Sequence, residues 1–281
     1  MQEVLPLLVF QTDFTYKDGA VASMYGVARS ISRDIEIVTA THEIPQYDIW
    51  SASYRLMQYV PFWPKGTVFV AVTDPGVGTS RKACVAYTED GYYIVTPDNG
   101  SLTHVMHQDG IRYVREIDET INRLPSTRGT SVFHGRDLFG YCAARLASGV
   151  ITYEEVGPEY DVKDIVTLPI EEPSFRDGTA RGIIEIDDPN FGNAWSNIPV
   201  QMLFDNGIDY GGDVTVLLKH GDKVLLNQKV RFDRTFGDVK KGDVILYNNE
   251  MMNASLAVCQ GSFIEAYDCR FGSDYTIRIS K

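Results

Sequence analysis

The sequence predicts an α/β sheet domain over residues 1–168 followed by an all-β, barrel-like domain over residues 169–281. Two observations carry that reading. From Leu7 to about Gly149, short β-branched runs alternate with segments whose apolar residues recur every three or four positions, the pattern of a sheet layered with helices. After about Val166, Pro169, Pro173, Gly178 and Gly182 punctuate short apolar runs, and no long amphipathic helix follows. A length of 281 residues accommodates two cores.

Each element follows from its own residues. Met1 to Phe10 reads as the approach to a first buried strand, centred on Leu7–Gln11. Asp18 caps a helix whose apolar face is Ala20, Met24, Val27 and Ile31. A strand follows near Ile35–Thr39. A second helix places Ile49, Ala52, Leu56 and Val60 on one side, and Pro61 and Pro64 close it. Thr67–Thr73 is a strand, Ala83–Tyr87 and Tyr92–Thr96 form a hairpin about Glu89-Asp90-Gly91, and Ser101–His107 is a short helix. Asp137–Ala147 continues as another helix. In the second domain the strand candidates are Gly182–Asp187, Val200–Phe204, Val214–Lys219, Lys223–Leu226, Val244–Leu246 and Thr276–Ser280.

Charge excludes several functions. The formal net charge of −12 lacks the positive field that nucleic-acid phosphates require, so no nucleic-acid partner is expected. No apolar run approaches the ~20 residues of a membrane span, so no membrane partner is expected either. The N-terminal stretch carries Glu3 and no basic residue, unlike a secretory signal, which points to the cytoplasm. Cys84, Cys142, Cys259 and Cys269 lack CxxC spacing and sit in apolar surroundings, as reduced packing residues do. His104 and His107 lie three apart with no acid to complete a metal site, and neither GxxxxGK[ST] nor GxGxxG occurs. No metal or cofactor is expected.

Four segments could carry chemistry. In Val72-Thr73-Asp74-Pro75-Gly76-Val77-Gly78 a β-run ends in an acid and a glycine-rich turn, with Arg81 just beyond. Strand ends of such sheets collect ligands, although on spacing alone Asp-Pro-Gly also reads as an ordinary turn. In Thr130-Ser131-Val132-Phe133-His134-Gly135-Arg136-Asp137 a lone His precedes a helix start, where it could act as a base or merely cap. Asp187-Asp188-Pro189-Asn190-Phe191-Gly192-Asn193-Ala194-Trp195, and the Phe of Thr235-Phe236-Gly237-Asp238, combine aromatics, acids and an amide in a mixture suited to an adenine ring or to a core.

Together with Thr12-Asp13-Phe14 and Thr96-Pro97-Asp98-Asn99-Gly100, these blocks resemble, in order and across nearly the whole chain, the S-adenosyl-L-methionine (SAM) hydroxide adenosyltransferase family, whose superfamily includes fluorinases and chlorinases. The resemblance implies hydrolysis of SAM to adenosine and methionine, and a homotrimer with sites between subunits. By position it assigns Asp74, Arg81 and His134 to the attacking water, and Asp13 to the ribose hydroxyls. Phe191, Asn193, Trp195 and Phe236 match the adenine pocket, and Asp188 matches the acid at the methionine ammonium. Tyr47 and Asp18 fall near the ribose, and Phe133 and Gly135 flank His134 as further substrate contacts. The family's Asn-Ser-Ser-Gly-like stretch is replaced by Tyr247–Ser255, in which Asn248 aligns but an insertion alters the pattern. Where the resembling halogenases use a Tyr-Ser pair for halide, this chain has His134-Gly135, whose acid–base capacity fits hydroxide. A sensor that binds SAM without cleaving it is the reading of another class.

Overall fold

The computed structural model describes residues 6–281, so the expectations placed on Met1–Leu5 fall outside the described residues. The chain divides into two units, Met1–Leu168 and Pro169–Lys281.

In the first unit, Leu7–Thr12 (β1) is followed by Ala20–Ile31 (α1), Glu36–Thr41 (β2), Ile49–Tyr59 (α2), Val68–Val72 (β3), Ala83–Thr88 (β4) and Tyr93–Pro97 (β5). Thr103–Gln108 (α3), Ile111–Glu116 (β6), Glu119–Asn122 (α4), Tyr141–Ala147 (α5) and Glu159–Tyr160 (β7) complete it. The strands form one sheet in the order β2-β1-β3-β5-β4-β6-β7. β1 runs parallel to β2 and β3, and β3 parallel to β5, while β4 is antiparallel to β5 and β6. β3 reads Val-Phe-Val-Ala-Val and is buried throughout, as a central strand covered on both faces must be.

The face of α1 differs from the expected stripe. Val21, Met24 and Ala28 are buried, whereas Ala20, Val27 and Ile31 are only partly so. The small Ala28 lets α1 pack closely against the segment holding Leu138, Phe139 and Cys142 in the same core, and Ala20 turns toward a cavity. Asp18 does accept the Ala20 N–H at 2.8 Å, but Gly19 occupies the capping position. Before α5 the chain makes a π-helical turn, Gly135–Gly140. Gly135 is required there: a Cβ would lie 2.8 Å from the Phe14 ring.

The second unit contains Ser174–Arg176 (β8), Thr179–Asp188 (β9), Asn193–Pro199 (β10), Val200–Asp205 (α6), Gly212–His220 (β11) and Lys223–Phe232 (β12). Val244–Asn248 (β13), Asn253–Val258 (β14), Phe263–Tyr267 (α7) and Tyr275–Ser280 (β15) follow. The sheet order is β10-β14-β13-β12-β11-β15-β9-β8, and the additional β10–β9 pairing closes it into a barrel. The barrel core holds Ile184, Leu218, Phe232, Leu256 and Ile277.

Val200–Phe204, expected as a strand, is the helix α6. Five residues, four of them apolar, are too few for periodicity to separate strand from helix, and only the burial of Val200 and Leu203, three apart, shows the helical period. Conversely, β10 and β14 escape a hydrophobicity reading because Asn193, Ser196, Asn197 and Ser255 are buried polar residues held by hydrogen bonds such as Ser196 Oγ to Ala254 O at 2.5 Å. Among the described residues no helix is long and apolar enough to cross a membrane.

Candidate active site

β1 and β3 lie in parallel register with Thr12 opposite Val72, so Asp13 and Asp74 emerge just beyond the same carboxyl edge of the sheet. A cavity of about 310 Å³ opens there. It brings together Asp13, Asp18, Tyr47, Asp74, Phe133, His134 and Gly135, with Phe14, Gln46 and Val132 also on its walls.

Arg81 organises one side. Its Nε lies 3.0 and 3.1 Å from the two Asp74 oxygens, and its Nη2 donates to Asp74 Oδ2 at 2.5 Å. The two side chains are only 10% and 5% exposed, so each charge depends on the other. Arg81 Nη2 also donates to His134 Nδ1 at 2.9 Å. A guanidinium can only donate, so Nδ1 is the acceptor and the neutral ring carries its proton on Nε2. Burial first, and then the Arg81 charge, push the His134 pKa below its ordinary value. Arg123 Nη1 lies 3.4 Å from Nε2 on the far side of the ring.

Asp13 is 9% exposed, and its Oδ2 accepts the Tyr47 N–H at 2.9 Å. Burial raises its pKa, and the Asp74 charge adds to that. The hydrogen bond helps hold Tyr47 at φ 65, a left-handed conformation uncommon for a bulky residue. The Tyr47 ring remains exposed, as does Asp18.

The second unit carries a separate cavity of about 810 Å³ in which Asp188, Phe191, Asn193, Trp195, Phe236 and Asn248 all take part. The β9–β10 hairpin shapes one wall: Asp188 Oδ1 accepts the Asn190 and Phe191 N–H groups at 3.2 and 3.3 Å, while its Oδ2 accepts Asn193 Nδ2 at 3.3 Å. Gly192 takes φ 68, and a Cβ there would strike Ser262. Trp195 is buried and donates its Nε1–H to Tyr247 Oη at 3.1 Å, and Phe236 meets the Tyr247 ring at a centroid distance of 5.0 Å. Phe191 is 71% exposed and Phe236 43%, leaving aromatic faces available to a planar ligand.

Sequence reasoning missed three neighbours. Arg123 lies eleven residues before His134 in an irregular segment with no motif to announce it. Tyr247 stands in a strand and reads as core. Asn249 lies in the altered stretch; its Oδ1 accepts the Met251 and Asn253 N–H groups, both at 2.9 Å, while its buried Nδ2 has no hydrogen-bond partner. Among the described residues, no cluster of three or more His, Cys, Asp or Glu is placed to hold a metal.

Residues 8–157 match the model of the SAM hydroxide adenosyltransferase N-terminal domain, and residues 182–276 that of the C-terminal domain. An (R)-S-adenosyl-L-methionine hydrolase of Salinispora tropica is 33% identical over 260 residues, covering 91% of this chain and 91% of its own. A fluorinase of Actinopolyspora mzabensis is 25% identical over 300 residues, covering 98% and 97%. A crystal structure of a Thermotoga maritima protein superimposes with a TM-score of 0.87 at 31% identity, covering 98% of this chain and all of that one.

Proposed function

Because the chain belongs to the SAM hydroxide adenosyltransferase family, we infer that it is a hydrolase that cleaves SAM to adenosine and methionine. The observation that supports hydroxide as nucleophile is the buried Asp74–Arg81–His134 cluster at the sheet edge. The sulfonium departs as a neutral thioether, so no acid is needed for the leaving group. The barrier lies in the nucleophile. Water beside Arg81 gives up a proton to the Asp74 carboxylate, and the guanidinium stabilises the hydroxide that forms. His134, accepting from Arg81, fixes the direction in which that charge points. Asp13 binds the ribose hydroxyls, with Asp18, Tyr47, Phe133 and Gly135 around the sugar.

In the second unit, Trp195, Phe191 and Phe236 stack on adenine, Asn193 and Asn248 meet polar groups of the substrate, and Asp188 pairs with the methionine ammonium. The ribose-binding and adenine-binding groups thus belong to different units of the fold. Completion of each site between neighbouring copies of a homotrimer follows as the family's arrangement. Four free, buried cysteines fit a reducing cytoplasm.

The fluorinase likeness keeps halide as a second reading, and one experiment separates the two. Incubation with each sulfonium epimer of SAM in ¹⁸O water, with chloride and fluoride present, is expected to yield adenosine labelled at the 5′ oxygen. The R epimer should be the better substrate, matching the name of the Salinispora relative. Unlabelled adenosine, or 5′-halogenated adenosine as the main product, would overturn the assignment.

A further inference from the structure

Arg123 follows α4 directly and is 8% exposed, which is unusual for a charged side chain. Its Nη1 pairs with Glu119 Oε2 at 2.5 Å, and its Nη2 donates to the Thr130 carbonyl. Fixed by those two partners, Nη1 lies 3.4 Å from His134 Nε2, while Arg81 Nη2 lies 2.9 Å from Nδ1. The imidazole therefore sits between two guanidiniums, one at each ring nitrogen. Only one contact can be a good hydrogen bond to a neutral ring, because a neutral imidazole has one acceptor nitrogen. The shorter contact identifies it as Nδ1 with Arg81.

We propose that Arg123 is a positioning residue of the hydroxide site: its charge beside the ring keeps His134 a neutral imidazole, while the shorter contact with Arg81 selects the Nε2–H tautomer, so that the ring serves as acceptor for Arg81. The inference rests on the hydrolase reading above. A proton added to Nδ1 would turn that nitrogen into a donor facing a donor, breaking the contact that orients Arg81 toward Asp74. It would also place a cation between two cations. Charge from the surrounding elements is balanced in a defined way: Asp74 stands behind Arg81, Glu119 stands behind Arg123, and Asp13 lines the same cavity. On the ring's own element, Arg136 and Asp137 are paired at 2.6 Å. Burial, then the Arg81 charge, with Arg123 adding in the same direction against Glu119 and Asp74, favours the neutral form.

The test is NMR of the full chain labelled with ¹⁵N in histidine, with His134→Asn used to assign the ring, alongside pH profiles of kcat. Wild-type His134 should be the neutral Nε2–H tautomer at pH 8, with its titration midpoint below the ordinary imidazole value. Arg123→Met should raise its titration midpoint by about one pH unit, with kcat falling on the acid side and KM for SAM within about twofold. Glu119→Gln removes the opposing charge and should shift the midpoint the other way. Arg123→Lys keeps the charge and should keep the ring neutral, so the Lys and Glu119 variants decide the matter even if Arg123→Met does not fold. Shifts of the same sign in Arg123→Met and Glu119→Gln, an Nδ1–H ring in the wild type, or wild-type titration near pH 6.5 would each overturn the proposal. The ring state is read without turnover, so failure of the hydrolase reading shows separately, as absent product with the NMR pattern intact.

Discussion

His134 is 4% exposed and shares Arg81 with Asp74, so the three side chains act as one unit. His134→Asn should lower kcat about 100-fold while KM stays near wild type, because the lost contact acts on the nucleophile and leaves ground-state binding intact. Asp74→Asn and Arg81→Ala should behave alike, and a double variant should lose less than the product of the single losses. Steady-state kinetics on folded protein check this, and full activity of His134→Asn would remove it from the site. The aromatic pocket predicts the opposite signature. Phe236 is 43% exposed, so Phe236→Ala should raise KM about tenfold or less, equivalent to ~1 kcal/mol, with little change in kcat. Trp195 is 6% exposed and bonded to Tyr247, so Trp195→Ala should raise KM and also lower the melting temperature.

At the scale of an element, β9 carries an acid where a barrel strand ordinarily carries an apolar residue. Glu185 is 8% exposed; burial pushes its pKa up to about 7, and the Glu172 charge adds to the rise. A raised carboxyl keeps its proton longer in the folded state than in the unfolded chain. Its contribution to stability is therefore complete below the ordinary glutamate value of 4.5 and is lost as pH rises through about 7. Glu185→Gln should be more stable than wild type at pH 8, by up to ~3 kcal/mol, with the difference vanishing near pH 4. Urea denaturation at the two pH values measures it, and a constant difference would refute the linkage. The turn before α5 makes a second element-scale case. Gly135→Ala would drive a methyl into the Phe14 ring beside His134, and the variant should lose stability and turnover together.

For the whole molecule, the two cavities lie in different units of the chain, and the ribose and adenine of one substrate must be bound together. A trimer with shared sites makes a distinctive prediction. Asp74→Asn is defective in turnover at one cavity and Trp195→Ala in binding at the other, so mixed oligomers reassembled from the two should contain sites with both the wild-type kcat and the wild-type KM, a combination that neither variant has alone. Sedimentation of the wild-type chain should give a trimer; a fully active monomer would end this reading. In-line displacement further requires inversion at C5′, which chirally deuterated SAM tests, and retention would point to a covalent intermediate.

The amino-acid sequence alone determined the two fold classes, because strand and helix periods and proline and glycine punctuation are local signals. The order of six short motifs across the chain was likewise legible and sufficient to indicate the family. Tertiary structure decided what depends on proximity. Arg81 meets His134 across 53 positions, and Trp195 meets Tyr247 across 52, contacts that no local pattern encodes. The buried face of α1 was set by what packs on it, and α6 by a run too short for its own period to be read. The placement of Arg123 against Nε2 of His134 came from the fold of an irregular segment, since a lone arginine in a loop reads as a solvated charge until its neighbours are known.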